Sequence, residues 1–539
     1  MITASSAILL AALIAVLWQL SLIGQRPKDY PPGPPTLPIL GNLHQIPKAR
    51  RHIQFEKWAR QYGPVYSLML GTKVMIVLNT EDAIRELVDK RGAIYASRPE
   101  SFIAQDTISG GLRILWMHNG ETWKMVRKLA HRILNIATAR TYVPYQDLET
   151  KRMLVDFLEK PESFIEHMRR FSTSLTTQMT FGFRTTTIHD PRFKESFDIF
   201  DESWELVASP IAGLMDFFPF LRKVPDFLLP VKREAKKLHQ REITLFRDHY
   251  FETRRKLQNG TAKPCVCVDL VKLQKEESFS DDLAAYIGGS LLQAGSETTA
   301  GVLIGFIQAI TIFPSVAKIA QEEIDRVCGD RLPDLNDVPD LPYVRACMKE
   351  TLRWMPGFLL GLPHGATRDD VYLGYRMPNK ATILMNVWAV HNNPEQYPNP
   401  RAFDPRRYMG HEYYPQTAAN TEVARDHFAF GAGRRRCQGI HIAERSLFLS
   451  ISRLLWAFDF KRAVDPVTKL EISPNMDDLS DGAFTQPNAF PARIVPRSEE
   501  KARRVGEEWG KVLELLDGDM QWRTVPEGLI WRDYEVVAS

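Results

Sequence analysis

Cysteine is scarce in this 539-residue chain, and the five present (Cys265, Cys267, Cys328, Cys347 and Cys437) form an odd, sparse set. That excludes a disulfide framework and fits a reducing compartment. Cys265 and Cys267 make a C-x-C pair with no second pair to complete a zinc site, and they read as an incidental surface pair in a loop. An excess of charge of one sign is also missing. The 69 basic and 65 acidic residues leave a net charge of +4. Lys and Arg are spread along the chain, so there is no nucleic-acid signal. The sequence shows no internal repeat, no low-complexity tract and no G-x-G-x-x-G dinucleotide or flavin unit. Residues 1–25 have no charged side chain at all.

Hydrophobic residues are plentiful, at 44%, enough for a large core. The uncharged start contains the run AILLAALIAVLWQLSLI over Ala7–Ile23, which just reaches the roughly 20 apolar residues of a membrane-spanning helix. A cleaved signal peptide would want basic residues before the run and an A-x-A-like site after it. The first basic residues are instead Arg26 and Lys28, on the C-terminal side, which keeps that side in the cytosol. Residues 1–25 are therefore expected to be an uncleaved transmembrane anchor. Residues 26–36, with Tyr30-Pro31-Pro32-Gly33-Pro34-Pro35, are expected to be a stiff Pro-rich linker. Residues 37–497 would form the catalytic domain and 498–539 a C-terminal extension of unassigned role.

The periodicity of the body is mostly helical, with a smaller β region. Val65–Leu70 and Lys73–Leu78 flank Gly71 as β-branched apolar runs and predict a strand pair. Residues 120–355 read as amphipathic helices. The clearest helix runs from Asp281 to Ile312, capped by Ser280 and closed by Pro314. It is apolar nearly all round, which predicts a buried central position. Short strands return near Tyr372–Tyr375 and Thr382–Val387, and a last helix is expected over 439–457.

Phe430-Gly431-Ala432-Gly433-Arg434-Arg435-Arg436-Cys437-Gln438-Gly439 fits F-x-x-G-x-R-x-C-x-G. Its chance occurrence in a chain of this length is on the order of 10⁻⁴ to 10⁻³. A metal-binding Cys must be a thiolate, and a helix N-terminus, basic neighbours and the metal each lower its pKa. The loop resembles the cysteine-ligand loop of the cytochrome P450 family. The resemblance implies that fold, a heme b (iron protoporphyrin IX) held by Cys437, and Arg435 on a propionate. A thiolate ligand favours O–O cleavage.

Other segments follow in the family's order. Ala294-Gly295-Ser296-Glu297-Thr298-Thr299 is similar to the oxygen-activation motif. It implies catalytic roles for Thr298, on the distal oxygen or an ordered water, and for Glu297 as a proton source. Gly295 inside a helix costs about 1 kcal/mol against Ala, which a widened helix or close approach to the ring would offset. The competing reading is a Ser/Thr patch bonded to its own backbone. Glu350 and Arg353 match E-x-x-R, a supporting pair that Arg407 would join; Arg406 stands where an acidic residue is usual. Trp123 and Arg127 share a helix face at i, i+4 and, with His364, match propionate donors. Phe430 opens the ligand loop.

The implied reaction inserts one oxygen atom from O2 into a lipophilic small molecule. With no flavin domain in the chain, electrons must come from an NADPH–cytochrome P450 reductase on the same membrane, with cytochrome b5 as a second donor. The endoplasmic reticulum membrane, crossed once with the domain in the cytosol, is the expected location. Gly361–Asp370 and Thr382–Asn393 resemble filamentous-fungal secondary-metabolite oxygenases, including the O-methylsterigmatocystin oxidoreductase branch. That implies a polyketide, terpenoid or indole alkaloid substrate. Pocket walls are expected near 100–117, 205–220, Ile287–Gln293, Gly357–Leu362 and Ala483–Phe484. Two rivals are a haem-thiolate isomerase or dehydratase that does not use O2, and a non-enzymatic haem sensor.

Overall fold

Helical periodicity dominates the chain, and the elements follow it. The computed structural model describes residues 4–135, 140–410, 426–482 and 484–523. The helices that position the site are α1 (Ala4–Leu22), α2 (Glu121–Leu134), α3 (Val143–Glu159), α4 (Phe164–Phe181), α5 (Pro191–Ala208), α6 (Pro230–Gln258), α7 (Asp281–Ile312), α8 (Pro342–Trp354), α9 (Ile440–Ala457) and α10 (Glu499–Leu513). The expected 32-residue helix is α7, with the Ser280 hydroxyl accepting from the Leu283 N–H at 3.2 Å. It is buried along most of its length, packs most closely on α4, and also meets α6, α8 and α9. Phe313 ends it, and Pro314 opens the next helix.

The expected strand pair forms with the expected bounds, β1 (Val65–Leu70) and β2 (Lys73–Leu78). A four-stranded sheet adds β3 (His364–Gly365) and β4 (Thr382–Met385) in the order β1-β2-β4-β3. Strand β4 runs parallel to β2, and β3 lies antiparallel to β4 with His364 opposite Ile383. The sheet therefore delivers His364 from one of its edges.

Two expectations change, and the membrane-spanning helix is not shown. Among the described residues no single helix is long and apolar enough to cross a membrane, and the apolar stretch picked out is Ala12–Leu22. The Pro-rich segment is not a free spacer but a strap on β1. Ser67 donates its N–H to Pro32 and its hydroxyl to Pro31, and Arg26 donates to the carbonyls of Gly33, Pro34 and Ser67. Gly33 is required there, because a Cβ would stand 2.2 Å from the Ser67 carbonyl oxygen. Cys265 and Cys267 are not a surface pair: both are buried, at the start of the helix Val266–Glu277.

The C-terminal extension, as far as residue 523, is packed onto α3 and α4. Val505, Trp509, Val512, Leu516 and Trp522 all belong to the main hydrophobic core.

Candidate active site

Cys437 is the one exposed cysteine of the five. Gly431 and Gly433 turn its loop at φ of +71° and +60°, values open to glycine and strained for other residues. A Cβ on Gly433 would also lie 2.2 Å from the Val88 carbonyl oxygen. The Cys437 N–H closes the turn on the Phe430 carbonyl at 2.9 Å, and α9 begins three residues later. Although the residue keeps accessible surface, its sulfur is set deep in the protein, and that desolvation pushes the Cys437 thiol up, against the Gly439 N–H and the Arg127 and Arg436 charges, which pull it down. The helix terminus and basic neighbours do not outweigh that burial; a bound metal would supply the third contribution.

Beside this loop the fold gathers cations, Arg98 buried and Arg127 and Arg435 half-buried. Arg435 reaches the carbonyls of Ala96, Ile114 and Met117 and stacks 4.1 Å from the Trp123 ring centroid. Arg127 donates to the Arg436 carbonyl at 3.0 Å. Arg98 donates to the carbonyls of Leu115, Leu362 and Pro363. Burial, with Arg98 and Arg127 nearby, pushes Arg435 down to about 8; burial and Arg127 push Arg98 down to about 10. His364 holds the Tyr95 carbonyl at 2.8 Å, and burial, then Arg98, push it down to about 3, so its ring is neutral. Among the described residues none of these three arginines has a carboxylate partner. Trp123, Arg127, His364 and Arg435 thus come together as expected. Arg98 was missed; its sequence context, Ser97-Arg98-Pro99, carries no spacing that marks it.

On α7 the two expected catalytic residues differ. Thr298 donates to the Ala294 carbonyl at 2.6 Å, the back-bonding of the competing reading. Ala294 is exposed on an otherwise largely buried helix, so this turn borders open space. Glu297 is buried, its Oε1 has no hydrogen-bond partner among the described residues, and burial pushes its carboxyl up to about 7. Arg169 pulls this value down and Asp201 pushes it up, both more weakly than burial. The close approach that the structure shows at Gly295 is that of α4. A Cβ there would meet Thr176 Oγ1 of α4 at 2.5 Å, and its carbonyl accepts from Ser172 at 2.7 Å. Glycine is needed because α4 and α7 cross here at close range.

Of the many E-x-x-R matches, Glu350–Arg353 forms a two-bond fork at 2.7 Å, fully buried. Arg353 also ties His391 and Pro400, while Arg407 lies 3.4 Å from Glu350. Arg406 turns outward onto Asp404. A second match, Glu149, is the hub of another buried network: it accepts from Arg170, Arg184, Ser174 and Gln178. Of the expected pocket walls, Phe484 packs on Phe358 and lies where a Cβ on Gly301 or Gly357 would come within 2.7 Å. Ala483 lies outside the described residues.

These features define a haem-thiolate protein, and the comparisons agree. The family model for Cytochrome P450 matches residues 31–477. The chain belongs to the cytochrome P450 family. It is 95% identical over 538 residues, 100% of both chains, to cytochrome P450 monooxygenase fogE of Aspergillus ruber. It is 56% identical to cytochrome P450 monooxygenase virE of Hypocrea virens, over 98% of this chain and 96% of that one. Identity to cytochrome P450 monooxygenase fsoB of Humicola fuscoatra is 46%, over 98% of each chain. The family's cofactor is haem b, and the site fits it: a cluster of buried and half-buried cations without carboxylates needs anions, and haem brings two propionates beside its metal.

Proposed function

We propose that this chain is a haem-dependent monooxygenase of fungal secondary metabolism that inserts one oxygen atom of O2 into a lipophilic small molecule. The observation that carries it is the pairing of an exposed Cys437 with the carboxylate-free cluster of Arg98, Arg127 and Arg435. Cys437 would be the axial ligand. Arg98, Arg127, Arg435, His364 and Trp123 would hold the propionate edge, and Phe430 would close the loop beneath. When bound, the haem supplies the redox chemistry that splits O2, for which the net reaction consumes two electrons and two protons and releases one water.

The chain's own contribution is proton handling and positioning. Glu297 holds a proton on its carboxyl near neutral pH, because burial disfavours its anion. Thr298 keeps its hydroxyl on the α7 turn next to open space, where it orients a water or an oxygen. Gly295 lets α4 lie against α7 and so fixes the height of that turn. The Glu350–Arg353–Arg407 network holds the segment before the ligand loop.

Residues 1–25 serve as a single-pass anchor in the endoplasmic reticulum membrane, with the domain in the cytosol. The uncharged sequence of α1 supports this, and so does an exposed apolar surface beside it. Ile39 is bonded to Ile23 at the end of α1, Gly71 is bonded to Leu40, and Gly71 lies against Phe218. Leu37, Ile39 and Leu40 are exposed on one side of this chain of contacts, and Leu214 and Phe220 on the other. A reductase using NADPH docks on the proximal face, where Arg434 points outward from the ligand loop; cytochrome b5 is a second donor. Residues 37–497 form the catalytic domain, and 498–523 brace it.

Turnover of a fungal metabolite extract under isotopically labelled O2, with reductase and NADPH, tests this reading. A product that gains one labelled oxygen only when all are present is expected. A product formed without reductase, or without label, would instead favour the isomerase or dehydratase.

A further inference from the structure

A small cavity lies between the segment Phe102–Ile108, the following loop, and α5. It is lined by Ala104, Ile108, Arg113, Trp116, Ser203 and Trp204, with a volume of about 10 Å3. That is room for one oxygen-sized group. Trp116 and Trp204 meet edge to face at 5.7 Å. Three polar atoms of these lining residues are buried with no hydrogen-bond partner among the described residues: Trp204 Nε1, Ser203 Oγ and Arg113 Nε. Such orphaned groups cost stability unless something satisfies them.

Their chemistry defines what that is. The Trp Nε1–H and the Arg Nε–H only donate, and the Ser hydroxyl does either. An acceptor is therefore wanted. Arg113 is already ion-paired, through Nη2, with the buried Glu242, which Gln293 of α7 also holds at 3.1 Å. Its charge is compensated, so a second anion would be buried unpaired. A neutral oxygen fits.

We infer that Trp204, Ser203 and Arg113 form a specificity cradle for one neutral acceptor oxygen (carbonyl, ether or hydroxyl) carried by an otherwise apolar substrate. This rests on the monooxygenase reading of the site. The ion pair with Glu242 and the bond to Gln293 tie the cradle to α6 and α7, which makes its position rigid relative to Thr298.

The test is calorimetric binding to the haem-loaded enzyme of two matched probes, acetophenone and ethylbenzene, which differ in one carbonyl oxygen. Wild type is expected to bind acetophenone about 3- to 10-fold more tightly, the worth of one neutral hydrogen bond. Trp204→Phe and Ser203→Ala each reduce that ratio toward one, while ethylbenzene binding stays within about twofold and reports an intact pocket. A wild type with no preference, as when a water alone occupies the cradle, overturns the inference. So does a ratio unchanged in both variants. If wild type keeps its thiolate spectrum and turnover in that case, only the cradle fails and the monooxygenase reading stands.

Discussion

Glu297 shows how a residue's chemistry is set by what it lacks. Its Oε1 has no partner among the described residues, and burial raises the carboxyl from 4.5 to about 7. Between those values the folded protein keeps a proton that the unfolded chain has released, so stability falls as pH rises through that window. Above about 7 the loss is complete. Glu297→Gln removes this slope, which urea midpoints measured from pH 4 to 8 would detect. For activity, the same substitution is expected to lower kcat by about 10²-fold with little change in KM, the usual worth of a positioned acid. It also erases the decline of kcat as pH passes 7. A kcat that keeps this pH limb in the variant would assign the proton to another group. Gly295 makes a second case. Gly295→Ala gains about 1 kcal/mol of helix propensity, but its methyl meets Thr176 Oγ1 at 2.5 Å. Overpacking costs of about 1–3 kcal/mol are expected to win. The double variant with Thr176→Ala recovers most of the loss in a urea titration.

At the scale of elements, the least expected finding is the packing of α10 and the residues after it. Trp509 lies against the guanidinium groups of Arg152 and Arg184, at 5.5 and 6.0 Å. Trp522 donates to Gln178 at 2.7 Å, and Arg184 donates to the Met520 carbonyl. Arg184 and Gln178 both end on Glu149, and Ser174 of α4 ends there too. The extension thus completes a fully buried network on the helix that carries Ser172 and Thr176 to Gly295. Trp522→Ala should cost about 3–5 kcal/mol, the usual loss for a buried aromatic, and thermal melting checks it. Melting within 1 °C of wild type would make the extension an ornament. The seat of α10 was not readable in the sequence, because it depends on Arg184 and Glu149, more than 300 residues earlier.

At the scale of the molecule, legibility follows the range of the interaction. Elements set by local pattern were readable: β1 and β2 from apolar, β-branched runs around Gly71, α7 from its cap and nearly unbroken apolar surface. The ligand loop was readable because glycines, Arg435 and Cys437 lie within ten residues. Long-range facts were not. Arg98 joins the cation cluster only after 97–98 fold against 362–363. Likewise Arg26 read as a membrane flank, yet it is bound into β1. Membrane association is also a property of the whole surface. Removing residues 1–24 is expected to leave binding to phosphatidylcholine vesicles through the exposed Phe220, Phe227 and Leu228. Changing these three to Ser in the truncated protein should release it in a flotation assay. Full release on truncation alone would give the whole attachment to α1.

All of this turns on Cys437 as a thiolate ligand. The most direct measurement is the carbon monoxide difference spectrum of the reduced, haem-loaded protein. Wild type is expected to place the Soret band well to the red of a histidine-ligated haem, and Cys437→Ala to lose that band. A wild-type spectrum without the red shift, or one that Cys437→Ala leaves unchanged, would contradict the account.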